Sequence, residues 1–360
     1  PSEIETYLQC PFRHFVRFGL RLDEWRGPKP LRWDLGNAAH ELLAAVTRRA
    51  MQEPGGVRAI SDLRWQELLA TAAGDYWQRR SPDDRARRTD LAFQSDLLMG
   101  LLRDVLVAHA ARWRRGQFEP LACEVEFGSR AADATHRGLE IHSPDGSLVR
   151  VHGKIDRVDS CRDASPPLLL VYDYKSSGVG PVSQRFLTGS RLQLFLYLAA
   201  LEQAQATAAQ PAGVFLAPLY PNLDVLENDY AAEADPVDQL MYLYRPRGLV
   251  AEAAARQLDD RLGSAPSPVS QFRGKKDGSF YANCDARPAD DVTQRTSLAS
   301  RTVLYVAEGV RQGRIDVAPL VESHQRACRN CEFQAMCRFD PMYNPSRVAE
   351  VVLPRLDEAA

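Results

Sequence analysis

Gly153-Lys154-Ile155-Asp156-Arg157-Val158-Asp159 and, a few residues on, Leu168-Leu169-Leu170-Val171-Tyr172-Asp173-Tyr174-Lys175 read as two neighbouring β-strands. The apolar run after Pro166-Pro167 is the pattern of a strand buried on both faces. It ends in Asp-x-Lys, and residues two apart on a strand point to the same side, so the Asp173 carboxylate and Lys175 ammonium share one site. Asp156, from the preceding strand, can approach the same point. Two converging carboxylates make a hard oxygen site suited to Mg²⁺, with Mn²⁺ the natural substitute and the Tyr174 carbonyl able to complete the shell. A lysine beside such a metal can orient or deprotonate a water, while the metal lowers that water's pKa and stabilises charge on a phosphate.

Around these strands the pattern is α/β. Leu121 to Phe127 alternates, with Cys123, Val125 and Phe127 on one face and Glu124 and Glu126 on the other. An exposed strand face is the expected place for those two glutamates, although either could add a ligand. Ser143 to Ser147 is a turn, Leu148 to Val158 a strand, Gln184 to Gln205 a helix, and Ala212 to Leu219 a further strand. On the helix, Gln193 and Tyr197 are four apart and share a face aimed at the strand ends. Residues 119–220 thus form a catalytic α/β core within a single domain spanning 1–360. Residues 1–118 read as helical: an amphipathic segment over 1–22 broken at Pro11, a loop over 23–31, then helices over 35–49, 63–79 and 91–114. Residues 221–327 are connecting and helical, with an acidic solvated stretch at 224–238, a Pro- and Gly-rich loop at 263–279 and a helix at 296–313.

The 360 residues carry 45 basic and 47 acidic side chains, a net charge of −2. That balance excludes a generally basic nucleic-acid coat but not a local basic track, for which Arg157, Arg185 and Arg191 are the nearby candidates. Lysine is scarce among the basic residues, so a lysine at position 175 stands out. No apolar run is long enough for a membrane helix, and no membrane partner is expected. There is no leader with a signal-peptide pattern, and a start without Met points to processing or to excision from a longer polypeptide. No Walker A pattern is present, so ATP hydrolysis is not expected of this chain. With 7 cysteines and no secretory signal, a reduced cytoplasmic setting is expected rather than a disulfide framework.

Taken in order, Gly36-Asn37-Ala38-Ala39-His40, Gly153-Lys154-Ile155-Asp156, Asp173-Tyr174-Lys175 and Gln193-Leu194-Phe195-Leu196-Tyr197 resemble the motif series of the PD-(D/E)XK nuclease superfamily, RecB-type group. The resemblance implies a restriction-endonuclease-like core, a central mixed sheet flanked by helices. It also implies His40, Asp156 and Asp173 as metal ligands and Lys175 as the catalytic lysine. Gln193 and Tyr197 would then position DNA or the surroundings of the metal, and cleavage would leave a 3′-hydroxyl and a 5′-phosphate.

Cys10 lies near one end of the chain, and Cys328-x2-Cys331-x5-Cys337 occupies 328–340 near the other. Four thiolates suit tetrahedral zinc or an iron–sulfur cluster. Zinc sites favour two close pairs, so three clustered cysteines and one distant one lean towards the cluster. Such a centre would close nearly the whole chain into a loop and tie its ends together. Cys123, Cys161 and Cys284 have no such context and read as packing or surface thiols. Together with Glu5-Thr6-Tyr7-Leu8-Gln9-Cys10-Pro11-Phe12 and Arg247-Gly248-Leu249-Val250, the cysteine pattern resembles the iron-staple nuclease domain of AddB-type helicase–nuclease subunits over essentially the full length. That resemblance implies a [4Fe-4S] cluster on Cys10, Cys328, Cys331 and Cys337, Mg²⁺-dependent cleavage of mainly single-stranded DNA, and an AddA-like partner in double-strand-break repair. A free-standing iron–sulfur exonuclease of the CRISPR-adaptation type, a catalytically silent stapled DNA-binding module and a zinc-stapled structural domain are the alternatives.

Overall fold

The run that follows Pro166-Pro167 becomes the heart of a six-stranded sheet. In a computed structural model the chain is described outside residues 23–31, 80–87, 129–137, 177–178, 181–185, 187–190, 206–208, 323–324 and 349–360. In chain order the strands of the central region are β1 (Glu119–Phe127), β2 (Leu139–His142), β3 (Leu148–Val151), β4 (Gly153–Cys161), β5 (Leu168–Lys175), β6 (Gln210–Pro218), β7 (Arg247–Ala251) and β8 (Ala286–Arg287). The sheet runs β1-β4-β5-β6-β7-β8, and β2 with β3 forms a separate hairpin. Strands β1, β4 and β5 are antiparallel neighbours, β5 and β6 are parallel, and β7 returns antiparallel to β6. A parallel β5–β6 pair requires a crossover connection, and helix Gln193–Gln205 supplies it. Leu169, Leu170 and Val171 are almost wholly buried, as a strand covered on both faces demands.

The helices are α1 (Ser2–Gln9), α2 (Pro11–His14), α3 (Arg32–Ala50), α4 (Asp62–Gln78), α5 (Arg88–Arg115), α6 (Gln193–Gln205), α7 (Asp229–Ala232), α8 (Pro236–Leu243), α9 (Glu252–Leu258), α10 (Ala289–Arg311) and α11 (Gln334–Cys337). Helix α3 packs on β1 and β4 and against α4 and α5, while α6 covers β4, β5 and β6 and meets α10. Ser61 caps α4 by accepting from the Arg64 N–H, and Asp235 caps α8 the same way. Helix α1 is held into the body by Tyr7 and Leu8, both buried. A Cβ on Gly309 of α10 would collide with the Tyr7 hydroxyl, so the glycine is what lets α1 seat there. The two ends of the chain meet: Arg347 donates to the Leu8 carbonyl, and Arg13 pairs with Glu332 at 2.8 Å. Among the described residues no helix is long and apolar enough to cross a membrane.

The mixed sheet with helices on its faces is the expected α/β core. Three local readings change. The strand expected over 148–158 breaks at His152, where β3 leaves its hairpin with β2 and β4 begins opposite β1. The crossover helix begins at Gln193, and most of 184–190 lies outside the described residues. The sheet also extends past residue 220 through β7 and β8, and the acidic stretch at 224–238 contains short helical turns as well as connection.

Candidate active site

Register builds the site. Along β1 and β4 the pairs Cys123↔Arg157 and Val125↔Ile155 flank Glu124 and Asp156, so those two carboxylates sit side by side. Along β4 and β5, Arg157 opposes Tyr172, and the next step brings Asp156 beside Asp173. Three adjacent strands therefore present Glu124, Asp156 and Asp173 in one row. Like charges directly opposite one another on a sheet are destabilising, and each member of this row has a cationic or ionisable partner. Lys154 pairs with Glu124, Lys175 Nζ lies 2.6 Å from Asp173 Oδ2, and His40 Nδ1 lies 3.3 Å from Asp156 Oδ2.

His40, Glu124 and Asp156 each offer a ligand atom within 4.8 Å of the others, close enough to share one cation. The donor set of one imidazole and carboxylate oxygens suits a hard divalent ion. Asp173 stands beside this group, committed to Lys175 and, at 3.4 Å, to Gln193 Nε2. Glu124 thus moves from the solvated face to the ligand group. Its backbone explains why alternation misplaced it: φ is +57°, the left-handed region, in the middle of a strand. A non-glycine residue held there stores strain of the kind that collects at functional sites.

Burial raises the pKa of Asp173, with Lys175 pulling against it and Asp156 reinforcing it. For His40 burial acts to lower the pKa, but the hydrogen bond and charge of Asp156 outweigh it and the value is raised. Tyr174, between the two motif residues, donates its backbone N–H to Asp156 Oδ2 at 2.7 Å. Gln193 and Tyr197 meet as the helical spacing requires, Nε2 to hydroxyl at 2.5 Å. Gly153 makes room for them: a Cβ there would lie 2.9 Å from the Tyr197 ring and 2.8 Å from Phe127.

One neighbour escaped the motif series. The N–H of Gln193, the first residue of α6, donates to Glu5 Oε1 of α1 at 3.0 Å. Burial lifts the Glu5 carboxyl to about 7, against the pull of the Gln193 N–H, Arg191 and Lys175.

Arg157 is a correction. It is 2% exposed, bonded to the Tyr174 hydroxyl at 2.6 Å, paired with Asp159 at 2.8 Å and stacked over the Tyr172 ring at 3.9 Å. It braces the back of the site and is not available to a DNA backbone. Arg191 is half-buried, and Arg185 lies outside the described residues.

Cys10, Cys328, Cys331 and Cys337 are all free thiols and line one small cavity with Phe12, Phe333 and Phe339. Burial raises the Cys328 thiol pKa, and the other three cysteines raise it further, as expected of four sulfurs facing one another. Tetrahedral zinc, with Zn–S near 2.3 Å, would hold its sulfurs about 3.8 Å apart. No three of these sulfurs, among the described residues, gather within 4.8 Å of one another. Cys161 and Cys284 are buried, and Cys123 is half-buried with burial pushing its thiol up to about 12.

Three relatives, each named as a subunit of an ATP-dependent helicase/deoxyribonuclease, align over most of the chain. Those of Bacillus cereus (strain G9842) and Bacillus thuringiensis (strain Al Hakam) are 27% identical over 353 residues. The Bacillus anthracis protein is 26% identical over 350 residues. Each alignment takes in 94% of this chain but only 30% of the relative, so the chain spans about a third of the length of the curated relatives it matches. The profile of the PD-(D/E)XK nuclease superfamily matches residues 1–338, a span holding every residue of the carboxylate row and all four clustered cysteines. A match of that extent settles the family: this chain belongs to the PD-(D/E)XK nuclease superfamily.

Proposed function

We propose that the chain is the nuclease module of an AddB-like subunit, hydrolysing phosphodiester bonds of mainly single-stranded DNA with Mg²⁺. The observation that carries this reading is the row of Glu124, Asp156 and Asp173 across three adjacent strands, with Lys175 on Asp173 and His40 on Asp156. His40, Asp156 and Asp173 are the proposed metal ligands, with Glu124 added to them. A divalent ion bound there would polarise the scissile phosphate and acidify its bound water. Lys175 is placed to orient the attacking water and to stabilise charge that develops on the phosphate. Asp173 holds that ammonium in place, and Tyr174 fixes Asp156 from the backbone side. Gln193 bridges Asp173 and Tyr197, so this pair forms a polar wall along which a substrate phosphate could be set.

Cys10, Cys328, Cys331 and Cys337 are the proposed ligands of a [4Fe-4S] cluster. Supporting this are the four thiols on one cavity and a spacing wider than tetrahedral zinc takes. The cluster would reinforce a junction of the chain ends that Arg13–Glu332 and Arg347–Leu8 already make. The names of the relatives support a cytoplasmic repair setting with DNA and an AddA-like helicase–nuclease protein as partners.

The test is cleavage of end-labelled single-stranded DNA by anaerobically purified protein, with Mg²⁺ and with EDTA, alongside iron and zinc analysis. Asp173→Ala and Lys175→Ala should each abolish Mg²⁺-dependent cleavage while DNA binding persists. Full activity in both variants refutes the site, and colourless protein with stoichiometric zinc refutes the cluster.

A further inference from the structure

Helix α1 touches both proposed centres. Its C-terminal boundary is Cys10, one of the four clustered thiols, and one turn and a half earlier Glu5 accepts from the first N–H of α6 at 3.0 Å. That N–H belongs to Gln193, whose side chain reaches Asp173 and Tyr197. The first turn of a helix has no internal acceptors for its N–H groups, and a carboxylate in this position both satisfies a donor and complements the helix dipole. Here the acceptor comes from 188 residues away in sequence. Between the two ends, Leu8 is fully buried and Tyr7 rests in the space left by Gly309, so α1 is fixed along its length. Nothing in the nuclease chemistry calls on Glu5, yet it lies half-buried near Lys175 and Asp173.

We propose that Glu5 is a positioning residue for the nuclease reaction, holding the start of α6 so that Gln193 stays in register with Asp173 and α1 links the cysteine centre to the active site. This rests on the nuclease reading above. Glu5 touches no reacting atom; it acts through Gln193. A misplacement on the order of 1 Å in such a group can cost about 100-fold in rate, so a loosened first turn of α6 should lower kcat more than it raises KM.

The test uses the full chain and a single-stranded oligonucleotide with Mg²⁺. Glu5→Ala should lower kcat about tenfold with KM changed less than about twofold, whereas Glu5→Gln, which keeps an acceptor oxygen, should restore kcat to within about threefold of the parent. Adding Glu5→Ala to Gln193→Ala should change kcat by less than about twofold, because two residues acting as one unit are not additive. Hydrogen exchange at the Gln193 amide, read independently of activity, should accelerate in Glu5→Ala and stay protected in Glu5→Gln. Additive losses in the double variant, or accelerated exchange with an unchanged kcat, would overturn the proposal. Activity surviving in Asp173→Ala would instead bring down the nuclease site itself, and the exchange result would still report whether Glu5 holds α6.

Discussion

The backbone N–H of Tyr174 donates to Asp156 Oδ2 at 2.7 Å, so the residue between Asp173 and Lys175 fixes the carboxylate on the neighbouring strand. Its side chain points the other way, and the hydroxyl accepts from Arg157 at 2.6 Å. The front of the sheet carries the proposed chemistry, and the back carries an arginine enclosed by Tyr172, Tyr174 and Trp113 and paired with buried Asp159. Strand alternation couples the two faces, because whatever seats Tyr174 also aims Asp173 and Lys175.

Arg157→Met should therefore behave as a core mutation. Removing the cation leaves Asp159, only 1% exposed, without its partner. Breaking a buried pair from one side costs about 3–5 kcal/mol. Urea unfolding should show a loss of that order, and adding Asp159→Asn should recover more than half of it. Affinity for single-stranded DNA should keep the parent's salt dependence. A weaker, less salt-dependent affinity at unchanged stability would return Arg157 to the DNA-contacting surface.

Glu124 sets up a trade between stability and metal binding. At φ +57° the residue sits where glycine is at ease and other side chains cost about 1 kcal/mol or more. Glu124→Gly should raise the thermal midpoint while weakening Mg²⁺ binding about tenfold, seen as a shift of the Mg²⁺ titration of cleavage to higher concentration. Glu124→Gln should weaken metal binding without the gain in stability. An unchanged Mg²⁺ titration in both variants would remove Glu124 from the ligand group.

The two motif glycines should answer differently to alanine. At Gly153 the added methyl meets Tyr197 and Phe127 at under 3 Å, so Gly153→Ala should cost about 1–3 kcal/mol by overpacking and lower kcat by displacing Tyr197. At Gly36, one helical turn before His40, a Cβ meets nothing within 4 Å. Gly36→Ala should gain up to about 1 kcal/mol of helix stability. If the open space beside His40 admits the DNA backbone, KM rises in this variant at unchanged Mg²⁺ affinity; both effects are read from denaturant unfolding and steady-state cleavage.

These residues also mark how far the sequence could be read. Asp156, Asp173, Lys175, Gln193 and Tyr197 were legible because each belongs to a local pattern, a strand end or a helical turn, whose geometry follows from period alone. Glu124 was not, because its placement depends on which β4 residue opposes it and on a backbone kink that breaks the alternation. Arg157 looked like a basic residue near a phosphate site; its burial is set by Trp113, Asp159 and Tyr172, which come from three different elements. Strand β7 was missed because five residues containing a glycine carry little strand signal. It exists because Gly248 lets its backbone close on β6, where a Cβ would collide with the Val214 carbonyl.

Glu5 gives the fold a pH dependence whose sign can be worked out. Its carboxyl is raised to about 7 in the folded chain, chiefly by burial, against 4.5 for the ordinary group. Below pH 4.5 both folded and unfolded chains hold the proton, and the folded state bears no penalty from this group. Between 4.5 and about 7 the unfolded chain has released the proton while the folded chain keeps it, so stability falls as pH rises through that window. The slope from one such proton is at most about 1.4 kcal/mol per pH unit. Glu5→Gln, which cannot titrate, should therefore unfold at the same denaturant concentration as the parent near pH 4.5 and at a higher one at pH 8. Parallel stability profiles for the two proteins across that range would show that the Glu5 carboxyl titrates near its ordinary value, with Arg191 and Lys175 compensating its burial in full.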